Sequence, residues 1–258
     1  MEKHRILAAL IIFLLPVAVF SADNDLGKAL SEKDIVKAEE LLLSGADVDA
    51  EYEWKAPIKI AMDEGEYDFA AKLIDAGADI RDMSLLGQAI DVGEMELAQK
   101  LLDAGADIDI EYEWEAPIKI AMNDDEYDFA AKLLDAGADI RDMSLLGQAI
   151  SEGEMDFAQK LLDSGADIDI NYNWEAPIEI AMDEGEYDFA AKLIDAGADI
   201  HDMSLLAKAI QAGAVDFAMK LLDAGVDPEE TYYGATPLSL AEAIGDNNLI
   251  NKIESVLK

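Results

Sequence analysis

The sequence predicts an all-α solenoid of eight helix–turn–helix units. Three observations predict it. Residues 51–110 and 111–170 match at 50 of 60 positions, and a looser third copy follows at 171–230. A closing glycine recurs at Gly45, Gly77, Gly105, Gly137, Gly165, Gly197 and Gly225, in steps that alternate between 32 and 28 residues. Between these marks the apolar residues fall at helical spacing. A fixed period of this kind marks an array in which each unit buries its apolar face only against a neighbour.

From the N-terminus, Met1–Ser21 read as a secretory signal peptide: a basic start at Lys3, His4 and Arg5, then an apolar run over Ile6–Phe20 broken by Pro16. Cleavage at Ser21/Ala22 or Ala22/Asp23 both satisfy the small-residue rule, and an uncleaved anchor is the minor alternative. The run is shorter than the ~20 residues that span a bilayer. The array then occupies residues 22–258, in units of about 22–50, 51–80, 81–110, 111–140, 141–170, 171–200, 201–229 and 230–258. Asn24-Asp25 stand where the first helix would be capped.

Within a unit, Ala56–Met62 predicts a short helix with Pro57 in its first turn, where no amide bond is lost. Glu66–Ala76 predicts the second helix, with Phe69, Ala70, Leu73 and Ile74 on one stripe and Gly77 as a left-handed C-cap. A turn glycine joins the two helices at Gly65, Gly93, Gly153, Gly185 and Gly213, and is replaced by Lys33 and Asp125 elsewhere. Ser84, Ser144 and Ser204 are expected to cap the first helices of the short units; Ala56, Ala116 and Ala176 cannot. Polar residues mark the two ends: Lys37 and Glu39 in the first unit, Asn251 and Glu254 in the last.

These marks resemble the ankyrin repeat. The resemblance rests on the closing Gly77-Ala78-Asp79 and its relatives, on the mid-unit glycine, and on Thr236-Pro237-Leu238 at the start of the last unit. It spans nearly all of residues 24–258. It implies an ankyrin-type solenoid with alternating long and short β-hairpin or loop fingers, and a role in binding other proteins. The sequence departs from the family pattern in lacking the His after Thr-Pro-Leu; Ser239 stands there.

Composition excludes much chemistry. There is no cysteine, so disulfides, thiol catalysis and thiolate metal sites are out. The two histidines are His4 and His201, too few for a histidine-based triad or zinc site. No catalytic residue, cofactor site or metal site is assigned, and the chain is read as a non-enzyme. The net charge of −38 disfavours nucleic acid and anionic lipid and favours a basic protein partner.

The long fingers are the candidate site. Asp47–Trp54 alternates acid with apolar or aromatic residues and returns at Asp107–Trp114 and Asp167–Trp174. If extended, it places the acids on one face and Tyr and Trp on the other. Tyr52, Trp54, Tyr112, Trp114, Tyr172 and Trp174 are candidate partner anchors, with Glu51, Glu53, Glu111 and Glu113 beside them. The alternative is that the rings pack between repeats. The resulting expectation is an exported, monomeric protein-interaction scaffold, periplasmic or secreted, with no membrane span in the mature chain. The alternative function is an acidic structural or buffering protein that loosely binds cations or cationic peptides.

Overall fold

A computed structural model of the protein describes residues 24–258 except 82, 142, 202 and 203. The signal-peptide reading of Met1–Ser21 lies outside the described residues. Among them, the secondary structure is sixteen α-helices in eight antiparallel pairs, with no sheet beyond isolated two-residue bridges. The chain divides into two compact segments, the break falling between Asp107 and Ile108.

The first segment holds three pairs: α1 (Asp25–Ser31) with α2 (Ile35–Leu43), α3 (Pro57–Asp63) with α4 (Tyr67–Asp75), and α5 (Leu85–Asp91) with α6 (Met95–Asp103). Here α3 packs between α1 and α5, and α4 packs on α6. The second segment holds five pairs: α7 (Pro117–Asn123) with α8 (Tyr127–Ala136), α9 (Leu145–Ser151) with α10 (Met155–Asp163), α11 (Pro177–Asp183) with α12 (Tyr187–Ala196), α13 (Leu205–Gln211) with α14 (Val215–Ala224), and α15 (Pro237–Ile244) with α16 (Asn247–Val256). Helix α9 packs on α11 and α13 on α15, while α8, α12 and α16 pack on α10, α14 and α14 in turn.

The first helix of each inner pair is two turns long and mostly buried. In α3, Pro57, Ile58, Ile60, Ala61 and Met62 are all buried, since neighbours flank it on both sides and its own partner covers a third. The second helix buries one stripe, Phe69, Ala70 and Leu73 in α4, and turns its remaining face to solvent. At 7–10 residues each, these helices are too short to persist in water alone, so packing between pairs supplies their stability.

The predicted punctuation is found. Gly77 is left-handed (φ 88°), and the Ala78 N–H returns to the Leu73 carbonyl at 3.0 Å in a Schellman closure. Lys33 and Asp125, standing where other units have the turn glycine, adopt the same geometry at φ 58° and 62°. The strain is offset at Lys33, whose ammonium reaches the carbonyl and carboxylate of Glu64 in the next unit at 3.1 and 3.2 Å.

Two capping expectations fail. Ser84, Ser144 and Ser204 hold the N-cap position but make no side-chain cap bond. Their ψ angles of 32–38° keep the hydroxyl away from the third amide of the helix. Thr236 has the extended ψ of 151° that capping needs, and its hydroxyl accepts from the Ser239 N–H. Asn24 likewise precedes α1 without a side-chain cap bond.

Ion pairs tie successive second helices together. Lys72 pairs with Glu39, Lys100 with Asp75 (2.5 Å), Lys160 with Asp135 (2.6 Å), Lys220 with Asp195 (2.7 Å) and Lys252 with Asp223. Each is solvent-exposed and contributes at most ~1 kcal/mol. With 57 acidic residues against 19 basic ones, most carboxylates lack such a partner, so repulsion outweighs pairing. Melting temperature should therefore rise with salt, by roughly 5 °C between about 0.02 and 0.3 M NaCl, as screening weakens the long-range repulsion first. A scan that shows a fall over that range would mean that the ion-pair ladder dominates.

Candidate functional site

The long fingers are two-residue hairpins. In the first, the Tyr52 N–H donates to the Lys55 carbonyl at 3.0 Å and the Lys55 N–H returns to the Tyr52 carbonyl at 3.1 Å. Glu53 and Trp54 form the tip, both left-handed, at φ 52° and 68°. Glu113-Trp114 and Asn173-Trp174 repeat this, with bridges Tyr112–Glu115 and Tyr172–Glu175. Positive φ at both central residues is the type I′ turn that suits hairpin twist. The fourth finger places Tyr233 and Gly234 at these two positions.

This turn overturns the alternation expected from the sequence. Extended pairing ends at the tyrosine, so Tyr and Trp do not share a face. The tyrosines are half-buried, whereas Trp54, Trp114 and Trp174 are 93, 91 and 94% exposed. In the first and third fingers the tyrosine lies hard against a glycine of the helix beneath it. A Cβ on Gly27 of α1 would lie 2.7 Å from the Cβ of Tyr52, and one on Gly147 of α9 would lie 2.7 Å from that of Tyr172. Tyr172 also receives the Lys119 ammonium 5.8 Å from its ring centre, so it links α7, α9 and its own finger. Of the two readings left open for the rings, packing describes the tyrosines and projection describes the tryptophans.

The expected acidic face also separates into two groups. Glu51, Glu53, Glu111 and Glu113 stand exposed at the tips. The aspartates at the finger bases are occupied by backbone. Asp49 accepts the Asp79 N–H at 2.8 Å, Asp109 that of Asp139 at 2.9 Å, and Asp169 that of Asp199 at 2.9 Å, each stapling a long finger to the next short one. Asp47 and Asp167 accept the N–H two residues on, at 3.0 and 2.9 Å. Sequence alternation gave no sign of these staples, because the bond joins loops 30 residues apart.

In the short loops, Arg141 donates two side-chain bonds to Asp139, at 2.9 and 2.6 Å, and its backbone N–H adds a third at 3.1 Å. Chiefly through the guanidinium, these bonds hold the Asp139 carboxyl at about 2, below its ordinary 3.8. A depressed folded value means that the contribution to stability is present above 3.8 and is lost as pH falls through about 2. Arg141→Ala should move the carboxyl midpoint up toward 3.8 in an NMR titration. A midpoint that stays near 2 would assign the effect to the backbone bond instead.

Beside the second finger, the face of the first helices carries a polar cluster. Lys119 hydrogen-bonds to the buried Gln148, which in turn donates to Asn123 at 3.2 Å and Glu152 at 3.1 Å. Burial pushes the Lys119 ammonium down, opposed by Glu115 and Glu152, and pushes the Glu152 carboxyl up. Among the described residues, no group of three or more His, Asp or Glu is placed to hold a metal ion, and no helix is long and apolar enough to cross a membrane.

Among solved structures, the chain is similar to an ankyrin repeat domain from Acinetobacter baumannii AYE, with a TM-score of 0.53 and 22% identity over 66% of this chain and 96% of that one. The fold is that of an ankyrin repeat domain. At this identity the likeness establishes the ankyrin fold alone. No protein-family model matches the sequence, and no curated protein matches it. In ankyrin terms, the tryptophans sit at the finger tips and the Lys119–Gln148 cluster lies on the first-helix face beside them.

Proposed function

We propose that the protein is an exported ankyrin-repeat scaffold that binds a basic protein partner through its long finger tips and the adjoining first-helix face. The observation that carries this reading is the presentation of three tryptophans, more than 90% exposed, on the tips of three equivalent hairpins. Large rigid aromatics at exposed tips cost solubility and contribute nothing to the core, whereas they make efficient interface anchors. The net charge of −38 selects for a cationic partner and against nucleic acid. Export, to the periplasm or beyond it, rests on the Met1–Ser21 pattern, and a monomer is the working stoichiometry. No catalytic step is proposed.

The excess of carboxylates favours a second reading, an acidic buffer that holds cations or cationic peptides loosely. The test is to cross-link the protein in its native compartment, identify the partner that co-purifies, and measure its affinity across salt concentrations for the wild type and for Trp54→Ala/Trp114→Ala/Trp174→Ala. The scaffold reading expects the triple variant to lose at least about 100-fold in affinity while keeping its helicity. An affinity that ignores the tryptophans and falls steeply with salt alone would establish the buffer and reject the scaffold.

A further inference from the structure

The three tryptophan tips are alike in backbone but not in charge. In the second segment, a cleft of about 440 Å³ opens between the finger and the start of α9, walled by Glu111, Trp114, Glu115, Ala116, Lys119 and Met143. It holds two carboxylates against one ammonium. That ammonium is engaged elsewhere, on Gln148 and the ring of Tyr172. At the third finger the equivalent positions are Asn171, Trp174, Glu175, Ala176 and Glu179, where Glu179 accepts the Ala176 N–H at 3.2 Å; the cation on that face is Lys208, in the place of Gln148, and it is paired with Asp183 at 2.5 Å, so carboxylates remain in excess. At the first finger they are Glu51, Trp54, Lys55, Ala56 and Lys59, so the balance reverses to two cations against one acid. Both lysines there gather on Asp63, at 2.6 and 2.8 Å. In the second finger the counterpart of Asp63 is Asn123, which donates to Glu115 at 2.9 Å.

An exposed indole beside an excess of carboxylates is a receptor for a guanidinium, which stacks on the ring and pairs with the acid. Deepening the scaffold reading, on which it rests, we propose that the cleft beside Trp114 and the equivalent exposed ring of Trp174 each receive an arginine side chain from one extended basic segment of the partner, and that Trp54, flanked by Lys55 and Lys59, does not. Successive units stack at about 10 Å, so tips two units apart lie roughly 20 Å from each other. An extended chain covers that in about six residues, which sets the spacing of the two arginines.

The probe is a synthetic Gly/Ser peptide with two arginines six positions apart, together with the same peptide carrying neutral citrulline. The readout is the indole N–H resonance of each tryptophan in the purified protein. The arginine peptide should move the Trp114 and Trp174 signals together and leave Trp54 in place. Glu115→Lys and Glu175→Lys, which install the residue found in the first finger, should each weaken binding at least about fivefold. Lys55→Glu should bring Trp54 into the response. Equal binding of the citrulline peptide, or equal movement of all three indoles, overturns the proposal. If the peptide moves no indole while the triple tryptophan variant still releases the natural partner, the arginine clefts are wrong and the scaffold stands. If neither effect is seen, both fall.

Discussion

Leu161→Ala should cost about 3–4 kcal/mol of unfolding free energy, the largest stability effect expected of a conservative truncation in this chain. Leu161 is fully buried in α10, which packs against both α9 and α8. Truncation leaves a cavity between neighbouring pairs that short helices on either side cannot close without giving up other contacts. The loss is therefore shared by two interfaces. Ile253→Ala in α16, which is as fully buried and likewise packs on two helices, α15 and α14, should cost a similar amount. Urea unfolding followed by circular dichroism measures both. A cost for Leu161→Ala below about 1.5 kcal/mol would mean that the pairs are not packed to core density.

Trp174→Gly should uncouple stability from binding. Trp174 stands at φ 76°, where an L side chain is strained by about 1 kcal/mol, and its ring, 94% exposed, gives back almost no burial energy. Glycine relieves the strain, less the greater freedom that it has when unfolded, so the net gain should be about 0.5 kcal/mol per site. The fourth finger already has this arrangement, with Gly234 at the second tip position. Over three sites the variant Trp54→Gly/Trp114→Gly/Trp174→Gly should melt no lower than wild type while losing partner affinity by several kcal/mol, as anchors do. Reduced stability would show that the indoles pack on the protein. Retained affinity would show that the tips are not where the partner sits.

Much of this molecule was legible beforehand. The helix pairs, their caps at Gly77 and its relatives, Pro57 at the first turn, and the alternation of long and short fingers all follow from the repeat and from helical spacing. The left-handed turn survived the loss of its glycine at Lys33 and Asp125, because the helices on either side force it. The site was legible by position and illegible by geometry. Tyr52, Trp54, Glu51 and Glu53 were rightly placed in a finger, yet strict alternation suggested an extended strand through Trp54. The sequence carries no Asn-Gly or Asp-Gly signal at tips one and two. Asn173, which tolerates left-handed geometry well, is the one local hint.

What the sequence determined by itself is the array: apolar residues at a helical period, repeated at a fixed interval, can be buried only by stacking pair upon pair. What tertiary structure alone decided is the division of labour within each finger. Tyrosine packs over the helix beneath it, against Gly27 and Gly147 in the first and third fingers, and its bridge to the residue three positions on ends the extended pairing there. The next two residues must then reverse the chain, whatever their own preference, and the tryptophan is carried out to the tip. Burial periodicity is written along the chain, whereas the left-handed pair at each hairpin tip forms alike for Glu-Trp, Asn-Trp and Tyr-Gly, so the closure of the loop between packed helices sets it and not the tip residues.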